Sequence, residues 1–339
     1  MPPAESITIV IPCRNEAGCI AEVLDSIVAQ DLEGIQWEVI VADGMSDDGS
    51  REILDRYTAR EPRIRVIDNP SRAVPAGLNA AIRDARGEII LRMDAHTSYA
   101  PDYVRRCIET LRSTGAENVG GPARTRPRGY WGRAIAAGYH SPVACGGARF
   151  HDPNYEGWAD TVPYGCWRKA TLLELGLFDE SLVRNQDDEL NLRLCRSGGR
   201  IWQSPSIVSW YQPRASLRRL FQQYFQYGFW KVAVIRKHRI PASWRHLAPA
   251  SFVAAATLLP LLALGLRSEL LFAGWVAMLA AYLLAIAGAS VQSAGRYGWS
   301  LLPALPLVFF AYHFSYGAGF LAGLLHSGAP DPVFTRVSR

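Results

Sequence analysis

Three long apolar stretches near the C-terminal end constrain the fold of this chain most strongly. They cover residues 248–266, 270–291 and 299–325 and contain no Asp, Glu, Lys or Arg. Each is long enough to cross a hydrocarbon layer about 30 Å thick as a helix. Because a bilayer core offers backbone groups no water, such stretches favour helices over an open sheet. We therefore predict a transmembrane region over residues 247–326 with about three helices, followed by a tail at 327–339.

The segment before these stretches is amphipathic and basic. Over residues 216–236 apolar side chains recur at helical spacing, and Arg and Lys are frequent up to residue 245. A helix with one apolar and one basic face lies on an anionic leaflet, so we predict an interfacial helix region at 214–246 and membrane lipids as partners. A basic cluster before the first span predicts a multi-pass protein of the inner (cytoplasmic) membrane whose N-terminal domain faces the cytoplasm. An odd number of spans would put the tail outside the cytoplasm, whereas the positive charges of Arg336 and Arg339 favour a cytoplasmic tail. A re-entrant third stretch therefore stays open as an alternative.

The rest of the composition argues against several function classes. The chain has 339 residues, a net charge of +5 and a pI near 8.9. A nucleic-acid-binding domain shows a dense basic face and a pI above about 9, so we predict no nucleic-acid partner. The 6 cysteines form no Cys-x-x-Cys pair, which argues against a zinc site. The first residues lack the basic and apolar regions of a signal peptide, and we expect none.

Residues 1–213 alternate between short β-branched runs and helical patterns. An apolar run of this length, closed by turn residues, indicates a buried strand, and apolar residues at helical spacing indicate a helix. This alternation predicts an α/β domain with a mostly parallel, doubly wound, Rossmann-like sheet. The predicted strands are 7–11, 37–41, 64–67 and 88–93, and the predicted helices are 20–28, 51–57 and 75–84.

Acidic residues close two of these predicted strands. Asp43 follows the second strand, and Asp94 and His96 follow the fourth at alternate positions. Parallel strands bring their carboxyl ends to one edge, where open α/β sheets bind ligands. A carboxylate and an imidazole there can share a divalent cation, which in turn could hold a diphosphate. The alternatives are an Asp94 that hydrogen-bonds a loop and an Asp43 that forms a turn before Gly44.

Three motifs follow one another in the first hundred residues and read Ile-Val-Ile-Pro-Cys-Arg-Asn-Glu, Ala-Asp-Gly-Met-Ser-Asp-Asp-Gly-Ser and Arg-Met-Asp-Ala-His. Together with three later motifs they form an ordered set that resembles the family-2 inverting glycosyltransferases, which have the GT-A fold. The resemblance extends roughly from residue 7 to residue 230 and is greatest for the bacterial exopolysaccharide subgroup. The motifs lie at residues 9–16, 42–50, 92–96, 160–169, 176–180 and 185–193.

The resemblance implies a site for a nucleotide sugar, by resemblance a UDP-sugar. The loop after the first strand would pack against the nucleotide, and Asp43 would hold the edge of the uracil ring. The implied nucleotide-sugar contacts are Pro12, Arg14, Asn15, Glu16, Asp43, Asn79 and Asp94.

The resemblance also implies a metal site. The usual Asp-x-Asp motif reads Asp94-Ala95-His96 here. It implies Mn²⁺ or Mg²⁺ bound by Asp94 and His96, with imidazole favouring Mn²⁺. The metal would neutralise the leaving nucleoside diphosphate.

The acidic run after residue 185 matches the family's catalytic base at Asp187. A carboxylate there would take the proton of the acceptor hydroxyl. Gln186 departs from the family pattern, so Asp188 stays open as the base, and acidic residues favoured at a helix start are the alternative for the whole run. The resemblance places Trp167, Arg168 and Asp188 on the acceptor side, with a core tryptophan as the alternative for Trp167.

The implied activity is that of a membrane-bound, metal-dependent inverting hexosyltransferase. It would move a sugar, glucose from UDP-glucose, onto a polyprenyl-diphosphate-linked acceptor in exopolysaccharide or cell-surface glycan synthesis. The segment 223–227 lacks the Arg and Trp of the motif found in processive synthases, which argues against a polymerase. Two alternatives stay open: a polyprenyl-phosphate sugar synthase and a non-catalytic membrane protein that binds nucleotide sugars.

Overall fold

The computed structural model describes residues 6–241 and 243–326. Its strands are β1 (Ser6–Cys13), β2 (Gln36–Asp43), β3 (Ile64–Asp68), β4 (Ile89–Arg92), β5 (Thr97–Tyr99), β6 (Asn118–Gly120), β7 (Arg124–Thr125), β8 (Gly157–Ala159), β9 (Cys166–Arg168), β10 (Ile201–Gln203) and β11 (Ser209–Tyr211). Its α-helices are α1 (Ile20–Val28), α2 (Ser50–Arg60), α3 (Val74–Asp84), α4 (Tyr103–Thr114), α5 (Gly129–Tyr139), α6 (Pro142–Cys145), α7 (Lys169–Glu174), α8 (Gln186–Arg196), α9 (Leu217–His238), α10 (Ala248–Gly265), α11 (Glu269–Tyr297) and α12 (Leu305–Leu325).

The large sheet confirms the predicted α/β arrangement. Its strand order is β3-β2-β1-β4-β9-β6-β10-β8, and the first four strands run parallel. These four strands and the helices α1, α2 and α3 between them are the predicted elements. Beyond β4 the sheet is mixed, because β9 runs antiparallel to both β4 and β6. A separate small sheet has the order β5-β11-β7.

Alternate residues of the central strands pack on opposite faces of the sheet. Ile9 and Leu91 belong to one buried cluster with residues of α1 and α4, whereas Val10 and Ile90 belong to a second with residues of α3 and α8. Side chains alternate along a strand, so a strand covered on both faces is apolar at every position. A shift of one residue would exchange the two faces, so this burial fixes the register and brings the ends of β1, β2 and β4 to one edge.

The chain divides into two compact units, and the division differs from the predicted domain at 1–213. The first unit runs to Thr125 and resumes at Arg149–Gln212, while Arg126–Ala148 groups with the chain from Pro213 onward. Within that second unit, α5 buries Ile135, whose carbonyl oxygen accepts a hydrogen bond from Tyr312 Oη at 3.0 Å. The segment therefore belongs with the C-terminal helices because α5 packs on them.

Helices in the second unit are long and apolar enough to cross a membrane. The three candidate spans are Trp244–Gly265, Glu269–Tyr297 and Leu305–Leu325. They correspond to the three predicted stretches, although the third begins later because residues 299–301 form a short 3-10 helix. Half of the most apolar window of the third span is buried within the protein, against 6% for the second. Protein therefore surrounds much of α12.

Helix α9, predicted as the amphipathic helix, packs closely against α12. A Cβ atom on Gly228 would overlap the carbonyl oxygen of Tyr316, and one on Gly319 would overlap that of Phe225. Glycines at both positions let the two backbones approach. Leu220 of the predicted apolar face is buried among residues of α12, so protein rather than lipid covers part of that face. The interfacial location of α9 stays a prediction.

We expect Gly319→Ala to destabilise the second unit by about 1–3 kcal/mol, because the added methyl group forces α9 and α12 apart. Thermal unfolding of the detergent-solubilised protein measures this change. The matched control is Gly288→Ala in α11, where a Cβ would meet nothing within 4 Å. A melting temperature for Gly319→Ala equal to that of the control would show that the close approach is unimportant.

Candidate active site

The candidate site lies at the ends of β2 and β4, the two strands that flank β1. Asp43 ends β2 opposite Cys13, and Arg92 ends β4 opposite Val10. Asp94 lies two residues beyond Arg92, and adjacent strands are about 4.8 Å apart. Asp43 and Asp94 therefore lie at the same edge of the sheet with only β1 between their strands.

The loops after β1 and β2 are joined by hydrogen bonds. The backbone N–H of Asn15 donates to Ser46 Oγ at 2.9 Å, and that of Asp47 donates to Asn15 Oδ1 at 2.9 Å. The N–H of Glu16 donates to Ser50 Oγ at 2.7 Å. Asn15 adopts a φ of 55°, which an asparagine tolerates better than most residues. These bonds hold the predicted nucleotide loop in one conformation.

Two further residues of that loop lie directly beside the end of β2. Pro12 is in register with Ala42, and the Arg14 side chain is so close to Gly44 that a Cβ there would lie 3.1 Å from Arg14 Cβ. The glycine therefore leaves room for the Arg14 stem. Pro12, Arg14, Asn15 and Glu16 thus gather beside Asp43.

The Asp43 carboxylate is buried at this edge and held by polar neighbours. Its side chain is 2% exposed, and it accepts hydrogen bonds from Ser46 Oγ at 2.6 Å and Arg51 Nη1 at 3.4 Å. Arg51 also pairs with Asp68 at 2.6 Å. Burial, together with the negative charges of Asp43 and Glu16, raises the pKa of the neighbouring Cys13 thiol to about 12. The thiol therefore stays protonated at neutral pH, and acidic charge is concentrated at this end of β1 and β2.

A buried arginine joins the predicted metal ligand to the predicted base. Arg92 Nε and Nη2 donate to the two carboxylate oxygens of Asp94 at 2.9 and 3.3 Å. Arg92 Nη1 lies 3.3 Å from Asp187 Oδ2. Burial acts to lower the pKa of the guanidinium, but the carboxylates of Asp94 and Asp187 outweigh it and raise that pKa above its ordinary value. Arg92 is therefore a permanent positive charge between two carboxylates.

Helix α8 brings Asp187 to this edge from a distant part of the sequence. The helix begins at Gln186 after Asn185, which has a φ of 61°. Asp187, Asp188 and Glu189 fill its first turn, where the helix dipole favours acidic side chains. Glu189 is fully buried and pairs with Arg193 at 2.8 Å, whereas Asp187 is 40% exposed and faces Arg92. Asp187 thus combines solvent access with a fixed neighbour.

The residues predicted to bind metal offer suitable but incomplete ligands. Asp94 is partly exposed, and its backbone N–H donates to Tyr99 Oη at 2.6 Å. His96 is 52% exposed, with Nδ1 3.5 Å from Glu16 Oε1. Among residues 6–241 and 243–326, no three His, Cys, Asp or Glu side chains form a cluster that could hold a metal. Carboxylate and imidazole fit Mn²⁺, and oxygens of a bound diphosphate would complete the coordination.

Three predicted site residues do not face this edge. Asn79 is buried, and its amide bonds the backbone of Phe178 at 2.8 and 2.9 Å and Glu180 Oε1 at 2.8 Å. Trp167 is 2% exposed and packs edge-to-face on Phe178 in the core. Arg168 pairs with Ile89 at the start of β4, the end opposite Asp94. Protein groups thus occupy the amide of Asn79, Trp167 is a core residue, and Arg168 lies at the far end of β4, and the binding roles of all three stay predictions.

Sequence reasoning missed Arg92, Arg51 and Ser46. A signal existed for Arg92, because an arginine inside an apolar run predicted to be a buried strand requires an anionic partner. Ser46 and Arg51 gave no comparable signal, since serine and arginine are ordinary residues in a polar loop and on a helix surface.

Comparisons with known proteins agree with this fold. Residues 8–165 match the sequence profile described as Glycosyl transferase family 2. The succinoglycan biosynthesis protein ExoA of Rhizobium meliloti (strain 1021) is 35% identical over 246 residues, which cover 72% of this chain and 74% of ExoA. A Methanococcus voltae protein is 27% identical over 327 residues, 94% of this chain and 97% of that protein. Its name is dolichyl N-acetyl-alpha-D-glucosaminyl phosphate 3-beta-D-2,3-diacetamido-2,3-dideoxy-beta-D-glucuronosyltransferase.

Solved structures share the fold. Mannosyltransferase PcManGT from Pyrobaculum calidifontis, in complex with GDP-Man and Mn²⁺, has a TM-score of 0.59 and 22% identity, covering 94% of this chain and 86% of that one. S. aureus TarS 1–349 in complex with UDP-GlcNAc has a TM-score of 0.51 and 14% identity, covering 94% and 92%. With the GT-A-like sheet, the profile match and the identity to ExoA, this chain belongs to glycosyltransferase family 2.

Proposed function

We propose that this protein is a membrane-anchored, metal-dependent inverting glycosyltransferase of exopolysaccharide or cell-surface glycan synthesis. Its donor is a UDP-sugar, UDP-glucose by resemblance, and its acceptor is a polyprenyl-diphosphate-linked sugar. The observation that carries the proposal is the joining of Asp94 and Asp187 by Arg92 at the sheet edge that also holds Asp43. One edge thus offers an acceptor of ring hydrogen bonds, a cation ligand and a base.

The nucleotide end of the proposed site is built on β1 and β2. Asp43 accepts hydrogen bonds in a buried position and suits the N–H edge of a uracil ring. Asn15 and Glu16 lie in a loop that is already fixed by Ser46 and Ser50, so little ordering would be needed when a nucleotide binds. A preordered loop costs less conformational entropy on binding.

The diphosphate end lies at Asp94 and His96. These side chains would hold Mn²⁺ or Mg²⁺, and the bound cation would neutralise charge on the leaving diphosphate. Asp94 itself is held by Arg92 through both oxygens, which fixes the orientation of its carboxylate. The Asp94 carboxylate is therefore already oriented before a donor binds.

The chemistry proposed for Asp187 is proton abstraction. In an inverting transfer the acceptor hydroxyl attacks the anomeric carbon on the face opposite the leaving diphosphate, and its proton passes to a carboxylate. Asp187 is 40% exposed and so can receive a proton from an entering hydroxyl, and its contact with Arg92 ties it to Asp94. This contact favours Asp187 over Asp188 as the base.

The acceptor proposal rests on the second unit and on the relatives. Three helices are long and apolar enough to span a membrane, and the name of the Methanococcus voltae relative includes a dolichyl-linked sugar phosphate. Basic residues before the first span favour a cytoplasmic active site at the inner membrane. A lipid-linked acceptor fits an enzyme anchored in this way.

Nucleotide release from a panel of donors tests the proposal. We expect the full-length protein, given a polyprenyl-linked glycan extract, to release UDP from UDP-glucose faster than nucleotide from GDP- or dTDP-sugars. Removing divalent ions with EDTA should lower the rate by about 10²-fold or more, because metal charge stabilisation contributes several kcal/mol, and Mn²⁺ should restore it. A full rate in EDTA would contradict the metal role. Release from no donor would favour the non-catalytic alternative.

A further inference from the structure

Arg92 is more completely enclosed than an ion pair at the rim of a site requires. Its side chain is 6% exposed, and its backbone N–H donates to Gly165 O at 3.2 Å in the loop before β9. Burying a guanidinium is costly unless its charge and its N–H groups are satisfied. The residue therefore has to be explained by what it holds.

The guanidinium holds its two carboxylates in different ways. Asp94 receives a two-point contact from Nε and Nη2, while Nη1 reaches Asp187 at 3.3 Å. Nη1 is buried and makes no hydrogen bond of good geometry to any residue in the part of the chain that the structure describes. A buried N–H group in this condition is rare. The Nε and Nη2 groups, which form the guanidinium fork, thus hold Asp94, and Nη1 is directed at Asp187.

This geometry links two parts of the site that lie about ninety residues apart in sequence. Asp94 lies two residues after the end of β4, and Asp187 lies in the first turn of α8. In an inverting displacement the base and the leaving diphosphate must face each other across the anomeric carbon. The distance between Asp187, the proposed base, and Asp94, the proposed ligand of the diphosphate-bound cation, therefore affects the rate of transfer. A planar guanidinium sets such a separation better than a flexible ammonium group does.

We propose that Arg92 is a positioning residue that holds the cation ligand Asp94 and the base Asp187 at one fixed separation. This inference rests on the proposed function, because it needs both roles to be real. In this role Arg92 acts through the two carboxylates and not through a contact of its own with donor or acceptor. It also places a positive charge beside the cation site, so it disfavours cation binding while it favours turnover.

Removing Arg92 should therefore lower turnover without weakening cation binding. A residue that only supports the fold would lower both. Arg92→Lys keeps the charge and loses the fork, and Arg92→Gln loses both. Both variants should lower kcat by about 10²-fold, the cost of a misplaced reacting group, with the KM for UDP-glucose changed by less than about threefold. Mn²⁺ binding in the presence of UDP, measured by electron paramagnetic resonance, should be as tight as in the wild type or tighter for Arg92→Gln.

The matched control is Arg65→Lys. Arg65 also joins two carboxylates, Glu38 at 3.1 Å and Asp84 at 2.5 Å, on β3 away from the site edge. Its kcat should stay within about twofold of the wild-type value. Thermal unfolding of all variants shows whether each is folded at the assay temperature.

Two results would overturn the inference. If Arg92→Lys keeps kcat within about threefold of the wild type, the fork is not needed. If kcat, Mn²⁺ affinity and melting temperature fall together in both Arg92 variants, Arg92 only supports the fold. A wild type that releases no nucleotide refutes the proposed function and this inference with it, whereas an active wild type beside an equally active Arg92→Lys refutes the inference alone.

Discussion

Asp187→Asn should lower kcat by about 10²- to 10⁴-fold, the usual contribution of a general base. Asparagine keeps the size of the side chain and a contact to Arg92 but cannot take the proton of the acceptor hydroxyl. The KM for UDP-glucose should change little, because Asp187 lies on α8, away from the loops that hold Asp43. Initial rates of UDP release with the lipid-linked acceptor measure the loss.

Asp188→Asn is the matched control for this prediction. It carries the same change one residue along the helix, so a loss confined to Asp187→Asn identifies Asp187 as the base. If Asp188→Asn alone is inactive, the base assignment is wrong. If neither change lowers kcat, the acceptor needs no base, as in a polyprenyl-phosphate sugar synthase whose acceptor is already an anionic phosphate.

Asp94→Asn should lower kcat by at least about 10²- to 10³-fold, comparable to the loss of one group that stabilises developing charge. It removes the negative ligand from the cation site and leaves Arg92 without its two-point partner. We also expect the variant to lose its response to added Mn²⁺, because the protein then offers only His96 from the predicted pair. Titration of UDP release against Mn²⁺ measures both effects.

The control for Asp94→Asn is Asp84→Asn, which removes a carboxylate from an arginine pair outside the site. That variant should respond to Mn²⁺ as the wild type does. An Asp94→Asn protein that keeps the wild-type Mn²⁺ response would show that the cation binds elsewhere.

The part of the fold that sequence predicted well is the part built from local patterns. The runs at β1, β2 and β4 contain consecutive apolar residues because both faces of the sheet are covered. Their polar closing residues follow directly in sequence, so the meeting of Asp43 and Asp94 at one edge needed only the assumption of parallel strands. The three candidate membrane-spanning helices were equally easy to predict, because the length of an apolar stretch is sufficient for that prediction.

The features that the sequence did not reveal depend on contacts between residues distant in sequence. The position of Arg168 depends on β9 running antiparallel to β4. The sequence of a three-residue strand does not show whether it runs parallel or antiparallel to its neighbour. The predicted domain at 1–213 includes the segment that contains α5, because nothing in that segment shows that its helix packs on a helix far along the chain. Asn79 accepts a hydrogen bond from the backbone N–H of Phe178, which lies 99 residues further along the chain.

Arg92 shows the same limit within the site itself. Its position in the motif was visible, but its partner Asp187 lies on a helix that sequence alone does not bring to β4. The charge of a buried strand residue signals that a partner exists without saying where it is.

A structure of the full-length protein with UDP and Mn²⁺, in which anomalous scattering locates the metal, would show whether Asp43, Asp94 and Asp187 form one site. We expect the metal on Asp94 and His96, the diphosphate beside it, and the uracil edge at Asp43. Asp187 should remain in contact with Arg92 on the side where the sugar would lie. A nucleotide bound at another part of the chain, or a metal without Asp94 among its ligands, would contradict it.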